Sequence, residues 1–407
     1  MLGLAQTFVA IWIAYLFWYV QAFGNFQLIL YGSTLASVAC VGIHAIKKEK
    51  ININDYPAGI WTHLLLAAYL FFTSYVAAQY KYAAVSATIT YAAYCVVSLV
   101  IAYISIEKKS IDWLINIIIC ITFLCCFWVS FRGIIKEGYG HILGKNNNPN
   151  SLGVVMVIGI FALAYKFGEH FLGAVLSLIF SFWPLYTIIG CGSRKSLIAA
   201  GIIYGIWLLT IILSTWKSDR TNRIIAILAI ISLVPIIYYA SNYFYSYYAL
   251  TDMAERMSHF ANENSNSYRI YLYQRAWELF LEHPVLGIGI DQFKFLSRTG
   301  GYAHSTYAES IADFGFVGSV IYFAPILIAV WTSLKNLILL KWNYQQSLIL
   351  GLICAELFLG VGQVFFFDAE HFVTWTIIYS FLKLKKENSK ITSDLNERNR
   401  TSKYVKY

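Results

Sequence analysis

The stretch GYAHSTYAESIADFGFVG, residues 301–318, places one histidine, His304, on a polar and aromatic segment directly before a long apolar run. An imidazole of ordinary pKa, near 6.5, suits a general base at neutral pH. His304 is therefore positioned to take a proton from a hydroxyl presented at the edge of a lipid bilayer. Glu309 and Asp313 follow closely enough to orient it, and Ser305 and Glu309 are candidate substrate contacts. Two arginines distant in sequence carry complementary chemistry. In GCGSRKSLIAAG, residues 190–201, Gly190 and Gly192 predict a turn, Ser193 an N-cap and Arg194 the first residue of a helix. A helix N-terminus binds anions through its free N–H groups, and a guanidinium there adds a two-pronged phosphate donor. The plain alternative is an arginine reaching to lipid head groups.

Arg269 follows a second polar run, ANENSNSYR. Ser267 predicts the cap of a surface helix about four turns long that ends at Pro284. Arg269, Ala276 and His283 then share one face, with Leu272 and Leu279 beside it, and Arg275 points elsewhere. A cation in the first turn opposes the helix dipole, which suggests an anionic ligand as partner for Arg269; the alternative is solvent exposure. Tyr271, Tyr273 and Trp277 suit a membrane interface. In KNNNPNSLG, Asn148 and Asn150, with Asn146 and Asn147, either contact sugar hydroxyls or turn the chain and cap the next helix. Asp368, Glu370 and His371 predict an external turn with too few ligands for a metal site.

These residues must be held by membrane helices. Of 407 residues 59% are hydrophobic and 13% charged, with mean hydropathy +0.60; a soluble domain carries roughly 25% charged residues. Hydropathy predicts an all-α polytopic membrane protein of about twelve spans, near 4–22, 26–46, 59–79, 84–105, 113–131, 151–166, 170–190, 195–215, 224–240, 314–334, 346–367 and 372–384. The net charge of +9 does not imply nucleic acid, because the basic residues sit in short loops and a tail. With both termini in the cytoplasm, Lys47, Lys48, Lys108, Lys109, Lys217, Arg220, Arg223, Lys335 and Lys383 collect inside, as the positive-inside rule requires. The 132–150 loop, the 190–194 turn and the long 241–312 loop then face outward. The expected organisation is helices 1–9 over 1–240, an external loop with an interfacial helix over 241–312, helices 10–12 over 313–386, and a mobile cytoplasmic tail over 387–407. The first span lacks a basic leader and a clear cleavage site, and reads as retained. Seven cysteines at 40, 95, 120, 125, 126, 191 and 354 lie mostly in apolar runs without metal-binding spacing. No phosphate-binding glycine loop of the P-loop type is present.

Four segments in order carry a family likeness: NPNSLG at 148–153, GSR at 192–194, SYR through HPVLGIG at 267–289, and AHS through FGFVG at 303–318. Over roughly residues 120–334 the chain resembles the O-antigen ligase and polymerase superfamily of bacterial envelope glycan assembly. The resemblance implies a glycosyltransferase of the polytopic GT-C type in the cytoplasmic membrane, with its site facing the periplasm or outside. It implies a donor glycan on undecaprenyl diphosphate and a sugar-hydroxyl acceptor, either a lipid-linked repeat unit or lipid A core. By motif position, the family's two functional arginines fall on Arg194 and Arg269 and its histidine on His304. Two guanidiniums on the diphosphate leave no need for a metal or cofactor, and a single displacement inverts the anomeric carbon. His304-Ser305 with Tyr307 and Glu309 looks more like O-antigen and capsule polymerases than ligases, which often carry His-Asn there. A chain-length regulator and a flippase are the expected protein partners. A lipid-linked sugar transporter is the alternative of another class, disfavoured because the two halves show no repeat.

Overall fold

A computed structural model describes residues 1–19, 27–48, 56–131, 149–169, 171–190, 193–216, 263–339 and 343–404. Among these residues there are helices and no strand. In chain order they are α1 (Leu2–Ala14, continued by a π-turn over Tyr15–Tyr19), α2 (Gln27–Lys47), α3 (Ala58–Val76), α4 (Lys81–Glu107), α5 (Asp112–Phe131), α6 (Pro149–Phe167), α7 (Phe171–Gly190) and α8 (Arg194–Trp216). After the surface helix α9 (Glu263–Glu282) and the short α10 (Phe293–Leu296) come α11 (Thr306–Leu339), α12 (Tyr344–Gly362) and α13 (Ala369–Tyr404). Eight of the described helices are long and apolar enough to cross a membrane. The expected span at 224–240 lies outside the described residues.

In lipid, helices gain little from apolar burial against one another, so close packing of small residues and interhelical hydrogen bonds hold the bundle. α8 packs along α12, where a Cβ at Gly351 would lie 3.3 Å from the Ile203 Cα. α6 packs on α5 with Gly159 pressed on the Thr122 side chain. Deep in the bundle, His371 shares its two ring nitrogens with Glu356 at 2.7 Å and the Tyr322 hydroxyl at 3.0 Å. His63 meets the Tyr91 hydroxyl at 2.8 Å. Buried polar groups of this kind are tolerated in lipid because each finds a partner inside the protein.

Polar contacts mark the two ends of the bundle. Lys48 pairs with Glu107 at 2.6 Å and Lys108 donates to Gln6, so α1, the end of α2 and the α4–α5 turn share one end of the bundle. At the other end, Gln292 of the long loop grips the α3–α4 turn, its Oε1 accepting from the Tyr80 N–H at 2.7 Å and its Nε2 donating to the Tyr80 carbonyl at 3.2 Å.

Three expectations are corrected. Glu370 and His371 are no external turn: they are 7% and 4% exposed, inside the bundle. The polar tail expected to be mobile continues α13 as helix to Tyr404. The span expected at 314–334 begins eight residues earlier, at Thr306, within what reads as external loop to 312. Glu309 and Asp313 make 306–313 look like loop, yet both carboxylates are fully buried and bonded to backbone N–H groups.

Candidate active site

The surface helix α9 buries Leu272, Ala276 and Leu279 in a small separate core with Ile288, Phe293, Ala303 and Ala312. Arg269 borders this buried face and is half-buried, while His283 lies exposed beyond the helix. α9 starts at Glu263 rather than at a Ser267 cap, so Arg269 is in its second turn and the first-turn dipole argument for Arg269 lapses. Arg275 points away, as expected, and pairs with Glu278 at 2.8 Å and Glu282 at 3.4 Å.

From α9 the chain is fastened into a break in α11. Gly315 has φ 61° and ψ −166°, a backbone region essentially restricted to glycine. There the segment 284–289 runs against α11: Ile288 N–H donates to Ala312 at 3.0 Å, Gly289 to Asp313 at 2.9 Å, and Phe316 back to Pro284 at 2.8 Å. Gly287 and Gly315 cross with no room for a Cβ at either. The Tyr69 hydroxyl on α3 donates at this crossing, 3.1 Å from the Leu286 carbonyl and 2.9 Å from that of Phe314. The HPVLGIG and FGFVG segments are thus two halves of one joint.

The joint delivers residues 290–305 to the end of the bundle. Asp313 Oδ2 accepts the Asp291 N–H at 3.0 Å, and Glu309 Oε2 accepts the Ala303 N–H at 2.6 Å. Through Oε2, Glu309 therefore holds the backbone next to His304. His304 itself is exposed with left-handed backbone, φ 54°, a conformation uncommon outside glycine and frequent at functional sites. Ser305 is buried at 6% exposure and its hydroxyl accepts from the Ala308 N–H at 3.4 Å, at the start of α11.

Sequence reasoning missed the element that gathers these parts. The last carbonyls of α12 and the residue after it, Val361 to Gln363, receive donors from three other elements. Lys195, next to Arg194 on α8, donates its ammonium to the Gly362 carbonyl. The Tyr273 hydroxyl, one turn beyond Arg269 on α9, donates to Val361 at 3.3 Å. Thr306, two residues past His304, donates to Gln363 from its N–H at 2.9 Å and its hydroxyl at 2.7 Å. Carbonyls at a helix C-terminus lack helical partners and carry its negative dipole end, so a lysine and two hydroxyls are suitable caps.

The consequence is electrostatic. Arg194 and Arg269 both act on the Lys195 ammonium, and Lys195 and Arg269 both act on His304. Partial desolvation, then the Lys195 charge, then that of Arg269 hold the His304 pKa below its ordinary 6.5. The imidazole is therefore neutral, its base form, at pH 7. Three cations and a neutral base converge at one rim. Lys195 was not singled out from sequence; its adjacency to Arg194 was the only available signal.

Two other expected site residues play a packing part. The Ser193 hydroxyl donates to Asn150 Oδ1 at 3.2 Å and pairs with Ser196 at 2.8 Å, while Gly153 leaves room for both serines. Ser193 is only 2% exposed. The NPNSLG and GSR segments thus lock α6 to the start of α8 and fix where Arg194 emerges. Asn148 lies outside the described residues. Asp368, in the α12–α13 turn, accepts from Gln363 at 3.5 Å, and burial raises its pKa to about 7.

Residues 176–323 match the family model described as O-antigen ligase. The match supports the O-antigen ligase and polymerase superfamily, and it contains Arg194, Arg269 and His304. It also contains Lys195 and both crossing glycines, whereas the α12 carbonyls that hold the site together fall beyond its end. No curated protein matches the chain. The family match points to a glycosyl-transferring enzyme in a membrane.

Proposed function

We propose that the chain is a metal-independent, inverting membrane glycosyltransferase of the GT-C type that polymerises undecaprenyl-diphosphate-linked repeat units into O-antigen or capsular polysaccharide on the outer face of the cytoplasmic membrane. The observation that carries this reading is the convergence of Lys195 and Arg269 on a neutral, exposed His304. A diphosphate leaving group needs cations, and an attacking hydroxyl needs a neutral base. Arg194 and Arg269 grip the diphosphate of the donor, and Lys195 adds a third positive charge. The acceptor hydroxyl attacks the anomeric carbon while His304 takes its proton. The bond from that carbon to the diphosphate oxygen breaks, and its electron pair leaves on the diphosphate. Fixed cations at the departing oxygen typically contribute about 10²–10³ in rate, and a positioned base about 10²–10⁴.

The description of the matching family favours a second reading, an O-antigen ligase that moves finished polymer to lipid A core. His304-Ser305 in place of His-Asn favours the polymerase. The two separate on a gel of surface polysaccharide from a deletion strain complemented with wild type, His304→Ala or Arg269→Ala. Single repeat units on lipid A core, or unpolymerised lipid-linked repeats, in the variants establish the polymerase. Long chains held on undecaprenyl diphosphate establish the ligase. An unchanged ladder in the deletion strain overturns both.

A further inference from the structure

The end of the bundle opposite His304 carries a second arrangement that the proposed reaction does not use. The N-terminus of α3, the C-terminal third of α11 and the middle of α13 enclose a lateral groove of about 1720 Å³, counted to its open mouth. Its wall is apolar and faces outward from the bundle, with Ile328 64% and Trp331 69% exposed. Its rim carries four ammonium groups, Lys335, Lys383, Lys385 and Lys386. Lys383 pairs with the Glu387 carboxylate at 3.2 Å.

Two further features belong to the same groove. Pro57 is the N-cap of the 19-residue helix α3 and its ring carries no hydrogen-bond acceptor to close it, so the first-turn N–H groups of Ala58 and Gly59 present a positive helix end. Gly59 sits where a Cβ would lie 2.6 Å from the Tyr379 ring carbon that bears the hydroxyl. That places the Tyr379 hydroxyl at the helix N-terminus, and Tyr379 itself lines the groove. Tyr379 is 6% exposed, and its hydroxyl has no hydrogen-bond partner among the described residues. An unused buried donor is costly unless a ligand meets it.

We propose that this groove binds an anionic glycerophospholipid of the leaflet opposite the glycan site, its phosphate between the α3 N-terminus, the Tyr379 hydroxyl and the lysine rim, its acyl chains along Ile328 and Trp331. The ligand class follows from the pairing of features. Cations and a helix end select a phosphate; an apolar wall open to the side selects one that carries hydrocarbon. Basic pockets between membrane helices recognise anionic head groups on this basis.

The test uses the full-length protein, stripped of lipid in neutral detergent and titrated with dioleoyl phosphatidylglycerol or dioleoyl phosphatidylcholine, bound lipid being counted by native mass spectrometry. Phosphatidylglycerol is expected to bind in preference. Lys335→Gln, Lys385→Gln and Lys386→Gln together are expected to lower its affinity roughly 100-fold, from about tenfold or less per lysine. Tyr379→Phe, which keeps the ring, is expected to lower it roughly tenfold. Lys47→Gln, Lys108→Gln and Lys109→Gln remove equal charge from the same end of the bundle outside the groove and should leave binding intact. Equal binding of the two lipids overturns the proposal. So does an equal loss in the second triple variant, which would mean diffuse attraction to the basic end. Competition by glycerol phosphate as strong as by the whole lipid overturns the lipid assignment in favour of a free phosphate. An unchanged thermal midpoint in each variant shows that the measured losses are not unfolding.

Discussion

Replacing Gly315 by alanine tests the joint on which the site depends. The backbone there, φ 61° and ψ −166°, is closed to alanine without strain of about 1–3 kcal/mol. The added methyl would also lie 2.6 Å from the Val285 carbonyl oxygen and 2.7 Å from the Leu286 carbonyl carbon, both backbone atoms that cannot swing aside. Overpacking of that kind costs a further ~1–3 kcal/mol, so the total is about 2–6 kcal/mol. The segment 284–289 must then leave α11, taking with it the hydrogen bonds at Ile288, Gly289 and Phe316 and the loop that ends at His304. The assay is the thermal midpoint in detergent, read beside the polysaccharide ladder. Gly201→Ala is the control: that glycine is exposed on α8 with no atom within 4 Å of a Cβ, and alanine there should stabilise by about 0.5–1 kcal/mol. If Gly315→Ala matches wild type in both midpoint and ladder, the claim that the glycine crossing sets the position of His304 is wrong.

Other outcomes follow from the same geometry. Arg269→Lys keeps the charge and loses the planar fork, so glycan transfer should fall by about tenfold or more; equal transfer rates would remove the bidentate role. With His304 as the proposed base and its pKa held below 6.5, activity should persist below pH 6.5; Lys195→Gln removes one of the charges that lower it, so the acid limb of the pH–rate profile should move to higher pH. Gln292→Ala leaves the Tyr80 N–H without its 2.7 Å acceptor and should cost about 1–3 kcal/mol, read as faster proteolysis in the 290–303 segment. Glu356→Ala breaks the 2.7 Å contact to the buried His371 and should cost about 3–5 kcal/mol if that pair is ionised and nearer 1–3 if it is neutral, which the midpoint measured at two pH values distinguishes.

Much of the helical order was legible because hydropathy reports it directly: α6 and α7 appear within a few residues of the spans read at 151–166 and 170–190. Arg194, Arg269 and His304 stand out as candidates because charged and titratable groups are rare in this chain and these stand beside turn-forming segments. What was illegible depends on backbone. The start of α9 was misread because Asn and Ser favour turns, while burial of Leu272, Ala276 and Leu279 overrides that preference. Glu309 and Asp313 read as chemistry or loop because a sequence does not show that one oxygen of each is taken by the N–H groups of Ala303 and Asp291. The carbonyls of Val361, Gly362 and Gln363 left no trace at all, since every residue type carries one.

That last point bears on how the activity can be moved between proteins. Arg194, Arg269 and His304 each sit within four residues of a donor that closes on the end of α12. A hybrid that exchanges the outer loop alone would keep its arginine and histidine and yet dock them on a foreign helix end, at a foreign height and angle. The unit that must travel together is therefore discontinuous: the start of α8, the run from α9 to α11, and a turn of α12 that acts through its backbone carbonyls and has no room for a side chain at Gly362. Recombination that respects those three pieces should exchange glycan specificity intact, and recombination between them should yield folded proteins that transfer nothing.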